Sequence, residues 1–377
     1  MAKGKNEMDR GSEGSGARLM SLDALRGFDM FFIMGGATLA HAVCKALGHP
    51  DCAFAQQFNH VPWEGFHFED TIFPLFLFIA GVTFPFSTAK RLANGATKAS
   101  LTLHALRRGA LLVLFGLVCN GLLRLDFAHL RIPGVLQFIG FTWMVAALLY
   151  IWLGRKARIA VAIFLLLGSW LLFRFVGAPD FPVASPFSPE GNLGCWMDRT
   201  FLGSNHIYKG LFDPEGTAGI LPGIVTPMLG MFAGELLAGT ASGSRKTVIL
   251  LIAAAVSTAA GLALSVSQPI VKALWSSSFV LVAGGYSAAM LALFYWIVDV
   301  NGWRRWTFFF TVIGMNSITI YMAQRFVEFS KTSNFFFGGL WSLLPKAWQG
   351  VGSSLAYVAT CWLFLLFLYR KKIFLRV

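Results

Sequence analysis

The chain has 377 residues, of which 56% are hydrophobic and only 13% charged, with a mean hydropathy of +0.64 and a formal net charge of +13. A soluble domain carries about 25% charged residues, so the composition excludes an ordinary soluble enzyme and points to a helical membrane bundle. The 37 Phe and 12 Trp residues supply the aromatic surface expected against lipid and at its interfaces.

Residues 1–18 are polar and Gly/Ser-rich, with no apolar core before Leu19. That pattern predicts a disordered cytoplasmic tail and lacks the apolar centre of a signal peptide. Residues 19–377 read as a single transmembrane helical-bundle domain. Crossing a hydrocarbon core takes roughly 20 apolar residues. Such runs fall near 22–44, 71–89, 101–123, 132–154, 158–176, 219–239, 247–266, 277–298, 307–328 and 351–369. The expected fold class is therefore all-α, a polytopic membrane protein with about ten transmembrane helices.

Basic residues fix the expected orientation. The even-numbered connections, the two ends and the helix starts at Arg26, Arg107 and Arg108 hold 21 of the 31 Lys and Arg residues. Positive charge of this kind marks the cytoplasmic side, so both termini are predicted inside (N-in/C-in). Much of the +13 is then a topology signal, and nucleic acid is not an expected partner; the lipid bilayer is. The long connections, about 45–69, 177–218 and 329–350, fall outside. Cys44, Cys52 and Cys195 lie on that side, where an oxidising compartment permits a disulfide among them. No spacing suggests a metal site.

Ionisable groups within spanning helices are costly and so become functional candidates. Asp23, Arg26 and Asp29 follow one another at i, i+3 and i+6 in the first helix, either as a structural ion triad or as part of an anion site. In the third helix His104, Arg107 and Arg108 stand near the cytoplasmic end. With Arg26 they compose a basic patch suited to phosphates, or they serve topology alone.

The densest stretch runs from Asn59 through His60, Trp63, His67 and Asp70 into Pro74. The imidazole of His60 is the kind of side chain that serves as a general base. Asp70 stands where it can orient a histidine or cap a helix, and Pro74 inside the helix can bend it and open a cavity. Farther on, Asp213 and Glu215 suit hydrogen bonds to a sugar or a capped turn. Gly314–Ser317 and Gln137 suit either close helix packing or a polar lining.

Five stretches in order, SLDALRG (21–27), HVPWEGFHFEDTIFPLFLF (60–78), RIPGVLQ (131–137), DPEG (213–216) and GMNS (314–317), resemble the heparan-α-glucosaminide N-acetyltransferase family and its bacterial relatives. The resemblance implies acetyl transfer across a membrane, from cytosolic acetyl-CoA to an extracytoplasmic amino sugar or glycan, in a bacterial inner (plasma) membrane. It assigns His60 to catalysis as general base or transient acetyl carrier, and Asp70 joins it there from its position at the mouth of the second helix. Arg26, Arg107, Arg108, Gln137 and Asn316 are assigned to acetyl-CoA. Trp63, Asp213 and Glu215 are assigned to the acceptor. A homodimer is the oligomer considered, and no metal is implied. One departure stands out: the family's Asn eleven residues beyond the arginine of the first motif is Ala37 here, with Thr38, His41 and Asn59 as nearby polar substitutes. The alternative function is a sugar or lipid-linked glycan transporter without covalent chemistry.

Overall fold

The computed structural model describes residues 19–375 except Lys209 and Ala218, so the expected N-terminal tail lies outside the described residues. Regular structure among them is helical, accompanied by two isolated bridge pairs. Among the described residues nine helices are long and apolar enough to cross a membrane: α1 (Met20–Ala46), α2 (Glu69–Ala93), α3 (Lys98–Cys119), α4 (Val135–Trp152), α5 (Arg155–Phe175), α6 (Ile220–Ala238), α7 (Gly243–Ser265), α8 (Ser277–Val300) and a last one, Lys346–Arg370. The protein is a polytopic membrane protein of the expected all-α class.

The remaining predicted run, 307–328, is broken into α9 (Thr307–Gly314) and α10 (Ser317–Phe326). At the break Asn316 leaves helical geometry (φ −126°, ψ 32°). Its side-chain oxygen accepts from the Thr319 hydroxyl at 3.3 Å, and its Nδ2 donates to the Ile373 carbonyl at 3.3 Å. Asn competes with the helix for hydrogen bonds and suits a helix start, and Gly314 just before it weakens the preceding turn. The outer connection expected at 329–350 contains a further helix, α11 (Phe329–Ser342), which packs on the last spanning helix, α12.

Burial sorts these helices. The apolar stretch of α2 is 72% buried, against 22% for α5, α7 and α12, so α2 is central and the other three face lipid. It runs unbroken through Pro74 and Pro85. Small residues permit the closest crossings: a Cβ on Gly27 would lie 1.7 Å from the Phe310 carbonyl oxygen, and one on Gly314 would lie 2.1 Å from that of Asp23. Two of the motif glycines thus clamp α1 against α9. In α1 itself the helix widens over Phe32–Gly36, where Gly35 adopts φ 144°, a conformation that favours glycine.

The first turns of α1 and the stretch just beyond α12 meet at one end of the bundle. Arg26 of α1 and Phe374 and Leu375 beyond α12 line the same cavity. The His60 segment stands at the other end of α2 and α3.

Candidate active site

His60 and Asp70 are brought together by the turn that leads into α2. Asp70 is fully buried in the first turn of α2, and its Oδ1 lies 2.9 Å from His60 Nδ1. Its Oδ2 accepts from the backbone N–H groups of His67 (3.2 Å) and Val61 (3.4 Å). The carboxylate therefore holds both the ring and the loop that carries it, and leaves Nε2 as the outward nitrogen of a side chain that is 59% exposed. A buried carboxylate on the far ring nitrogen sets the tautomer of a general base.

The loop is anchored from outside as well. Gly65 (φ 130°) donates its N–H to the Ile270 carbonyl at 2.9 Å, and Glu64 pairs with Val271. This brings Lys272 in: its Nζ lies 3.1 Å from His60 Nδ1 and 3.3 Å from Asp70 Oδ1. Trp63 donates to the Phe187 carbonyl at 2.7 Å and meets the Phe212 ring edge-on at 4.9 Å. It braces two loops and is not among the residues that line the His60 cavity.

His60 lines a cavity of about 330 Å³ with Asn120, Arg131, Gln137, Tyr208, Glu215, Tyr321 and Arg325 among its walls. Arg131 makes hydrogen bonds of 2.8 and 2.6 Å to Asp213 and one of 2.5 Å to Glu215. Asp213 also accepts from the backbone N–H groups of Tyr208 (2.8 Å) and Glu215 (3.1 Å). Buried and committed to these bonds, Asp213 is an anchor for Arg131 and is absent from the cavity wall, whereas Glu215 is on it. Burial pushes the Glu215 carboxyl up from its ordinary range, with Arg131 opposing that shift.

A second cavity, of about 270 Å³, opens where α1 meets the stretch beyond α12. Arg26 and Arg108 line it, with Gly314, Met315 and Ser317 from the helix break. Arg108 packs its guanidinium over the Trp143 ring at 4.1 Å, and its Nε is buried without a hydrogen-bond partner. Arg107 is exposed and lies away from this wall. Gln137 belongs to the His60 cavity, and Asn316 ties the helix break to the chain end. Arg107, Gln137 and Asn316 thus stand apart from Arg26 and Arg108, the residues with which the sequence groups them for acetyl-CoA. The expected Asp23–Arg26–Asp29 triad also divides: Arg26 stands 3.9 Å from Asp23, while both carboxylate oxygens of Asp29 are buried without a hydrogen-bond partner.

The two cavities are stacked. Both run along α3, α4 and the α9/α10 break, and Leu136 is in both walls. On α3, Arg108 faces one and Gly116 the other, an axial separation of about 12 Å at 1.5 Å per residue.

The chain is 29% identical over 385 residues to the heparan-alpha-glucosaminide N-acetyltransferase of Homo sapiens and 28% identical over 381 residues to that of Mus musculus. The resemblance read from the motifs is to these acetyltransferases. In each case it covers 85% of this chain, and the chain spans 56% of the relative's length. No protein-family model matches the chain.

The stretches that carry the resemblance build the two cavities and their supports. SLDALRG and GMNS shape the Arg26 cavity, RIPGVLQ lines the His60 cavity, and DPEG anchors Arg131. Sequence reasoning passed over Lys272, Asn120, Tyr321 and Arg325. Lys272 is a single cation in an otherwise apolar turn (PIVKALW), a signal the motifs do not include. At the position of the family Asn, Ala37 has no polar group to offer, and Thr38, His41 and Asn59 do not line the His60 cavity. The amides that do are Asn120 and Gln137. Of the cysteines, all five are free. The Cys44 and Cys52 thiols hydrogen-bond to each other, whereas Cys195 is buried apart from them with Phe212, Val271 and Leu274.

Proposed function

We propose that the protein is a membrane acetyltransferase that moves an acetyl group from acetyl-CoA at the Arg26–Arg108 end to an amino sugar or glycan at the His60 end. The observation that carries this reading is the pair of stacked cavities with Leu136 between them, one lined by two arginines and the other by the His60–Asp70 pair. Arg forks suit the phosphates of CoA, and the unpartnered Arg108 Nε is a donor awaiting an acceptor. The slender thioester arm then points along α3 toward Leu136.

At the other end His60 Nε2 serves as the base that takes the proton of the acceptor amine, or receives the acetyl group and passes it on. Asp70 holds Nδ1 in either case. Arg131 and Glu215 offer a donor and an acceptor to a sugar. The charge bias of the connections supports the Arg26 end as cytoplasmic and the His60 end as external, in a bacterial plasma membrane.

The test is incubation of the purified protein with labelled acetyl-CoA and a panel of amino sugars, beside His60→Ala. Labelled product from the wild type and none from the variant is expected. Neither transfer nor CoA release from the wild type would end the enzyme reading.

The broken helix α9/α10 favours a second reading, since interrupted helices at mid-depth also occur in transporters. Sugar uptake into proteoliposomes without any CoA ester would establish it in place of the first.

A further inference from the structure

His60 Nδ1 has two neighbours of opposite character. Asp70 Oδ1 at 2.9 Å can only accept a hydrogen bond once ionised, and Lys272 Nζ at 3.1 Å can only donate. A neutral imidazole that bears hydrogen on Nδ1 uses the first. An imidazole acylated on Nε2 and neutral has a lone pair on Nδ1 instead. That lone pair would face a carboxylate oxygen at 2.9 Å, an acceptor against an acceptor. Lys272 also reaches Asp70 Oδ1 at 3.3 Å, so its three N–H donors can serve the ring and the carboxylate together.

The position of Lys272 is held firmly. The turn Lys272–Leu274 ends at Trp275, which takes a left-handed conformation (φ 47°) while 1% exposed. Its ring stacks on Phe138 at 4.5 Å and meets Phe73 edge-on at 5.2 Å. Val271 N–H donates to the Ser276 hydroxyl at 3.0 Å and closes the turn. Strained backbone at a non-glycine residue persists only where the surroundings over-determine it, and it clusters at functional sites.

We propose that Lys272 is the positioning residue that lets His60 act as an acyl carrier, by donating to Nδ1 when Nε2 is acylated and so making the imidazole a better leaving group. This rests on the carrier form of the function above. In the first half-reaction the Nε2 lone pair attacks the thioester carbonyl and the C–S bond breaks. The CoA thiolate gains a proton from water while the Nδ1 proton leaves through Asp70 to water. In the second, the amine nitrogen forms its bond to the carbonyl carbon and the C–Nε2 bond breaks. The electron pair returns to the ring, and the amine's proton, relayed by water, restores N–H on Nδ1. Lys272 keeps its own protons throughout, and its donated hydrogen bond draws electron density from the ring in this second step.

The test uses the full chain in detergent and does not depend on acetyl-CoA. Diethyl pyrocarbonate converts a histidine nitrogen to an N-acylimidazole, the chemical relative of acetyl-His60. The lifetime of the adduct on the His60 peptide is followed by mass spectrometry, with exposed His129 as an internal reference. In Lys272→Met the His60 adduct should last roughly tenfold longer than in the wild type, as expected for the loss of one charge-assisted hydrogen bond. Lys272→Arg should return it toward the wild-type value. Lys272→Gln, a donor without charge, should fall between them and gives the same reading if Lys272→Met does not fold. Equal His60 lifetimes in all folded variants overturn the proposal. Labelled acetyl-CoA then separates the two claims. No acetyl transfer in the wild type alongside a Lys272-dependent lifetime removes the acetyltransferase function and leaves the role of Lys272. Transfer in the wild type with equal lifetimes and equal turnover in every variant does the reverse.

Discussion

Arg131 and Asp213, 82 residues apart in the chain, meet through two parallel hydrogen bonds of 2.8 and 2.6 Å. A fork of this kind fixes direction as well as distance. It joins the start of α4 to the outer connection that carries Tyr208 and Glu215, and so closes the His60 cavity from two sides. Asp213→Ala should lower stability by about 2–3 kcal/mol, because Arg131 loses its buried partner while keeping Glu215. Thermal unfolding in detergent measures this. A loss no larger than that of an exposed pair such as Lys331–Glu328 would show that the fork is dispensable.

Asp70 is buried behind His60, with Oδ1 on the ring and on Lys272 and Oδ2 on the loop backbone. Asp70→Asn should lower kcat for acetyl transfer by about two orders of magnitude or more, with KM for acetyl-CoA little changed. Steady-state kinetics with varied acetyl-CoA test it, and a pure KM effect would contradict the assignment.

The three arginines near the other end separate cleanly. Arg26→Ala and Arg108→Ala should each raise KM for acetyl-CoA by roughly tenfold or more. Both should leave transfer from a short acetyl thioester without phosphates nearly unaltered. Arg107→Ala, which removes an exposed group away from the cavity wall, should change neither. Identical effects of all three substitutions would return the patch to a topology signal.

Leu136, 4% exposed, stands in the walls of both cavities. Leu136→Ala should join them and allow water to reach the thioester. Acetyl-CoA hydrolysis without acceptor is then expected to rise while stability falls by about 2–4 kcal/mol. The ratio of hydrolysis to transfer, measured on one preparation, is the readout; an unchanged ratio would mean that Leu136 does not separate the two spaces.

Asp198 governs a pH effect in the outer connection. Burial pushes its carboxyl up to about 6 from 3.8, although the Thr217 N–H and hydroxyl both donate to it. A raised carboxylate means that the folded state binds more protons than the unfolded state between about pH 4 and 6. Its contribution to stability therefore falls as pH rises through that window, by roughly 3 kcal/mol over the full span. Asp198→Asn should remove this slope, which unfolding midpoints of the two proteins from pH 4 to 7 will show.

Helix type and the ends of nine spanning helices were legible to within a few residues, since a lipid environment demands long apolar runs and leaves little choice of structure. His60 and Asp70 were legible too, because a turn of ten residues returns the chain to itself. The run 307–328 was not read correctly: a hydropathy window averages over Asn316, and only the local competition for hydrogen bonds ends the helix there. The packing of Trp63 on Phe212 and the pairing of Asp213 with Arg131 were not legible, because they join segments far apart in the chain.

The sequence by itself determined a polytopic helical bundle, its charge asymmetry and the residues rich enough in chemistry to form a site. Tertiary structure alone decided that Lys272, 212 residues from His60, stands at its ring. It also decided that Arg26 and Arg108 share a wall, and that Leu136 stands between that wall and His60. Spacing along a helix or turn encodes local neighbours, whereas contacts between distant segments depend on how whole helices pack, and no short pattern in the chain carries that information.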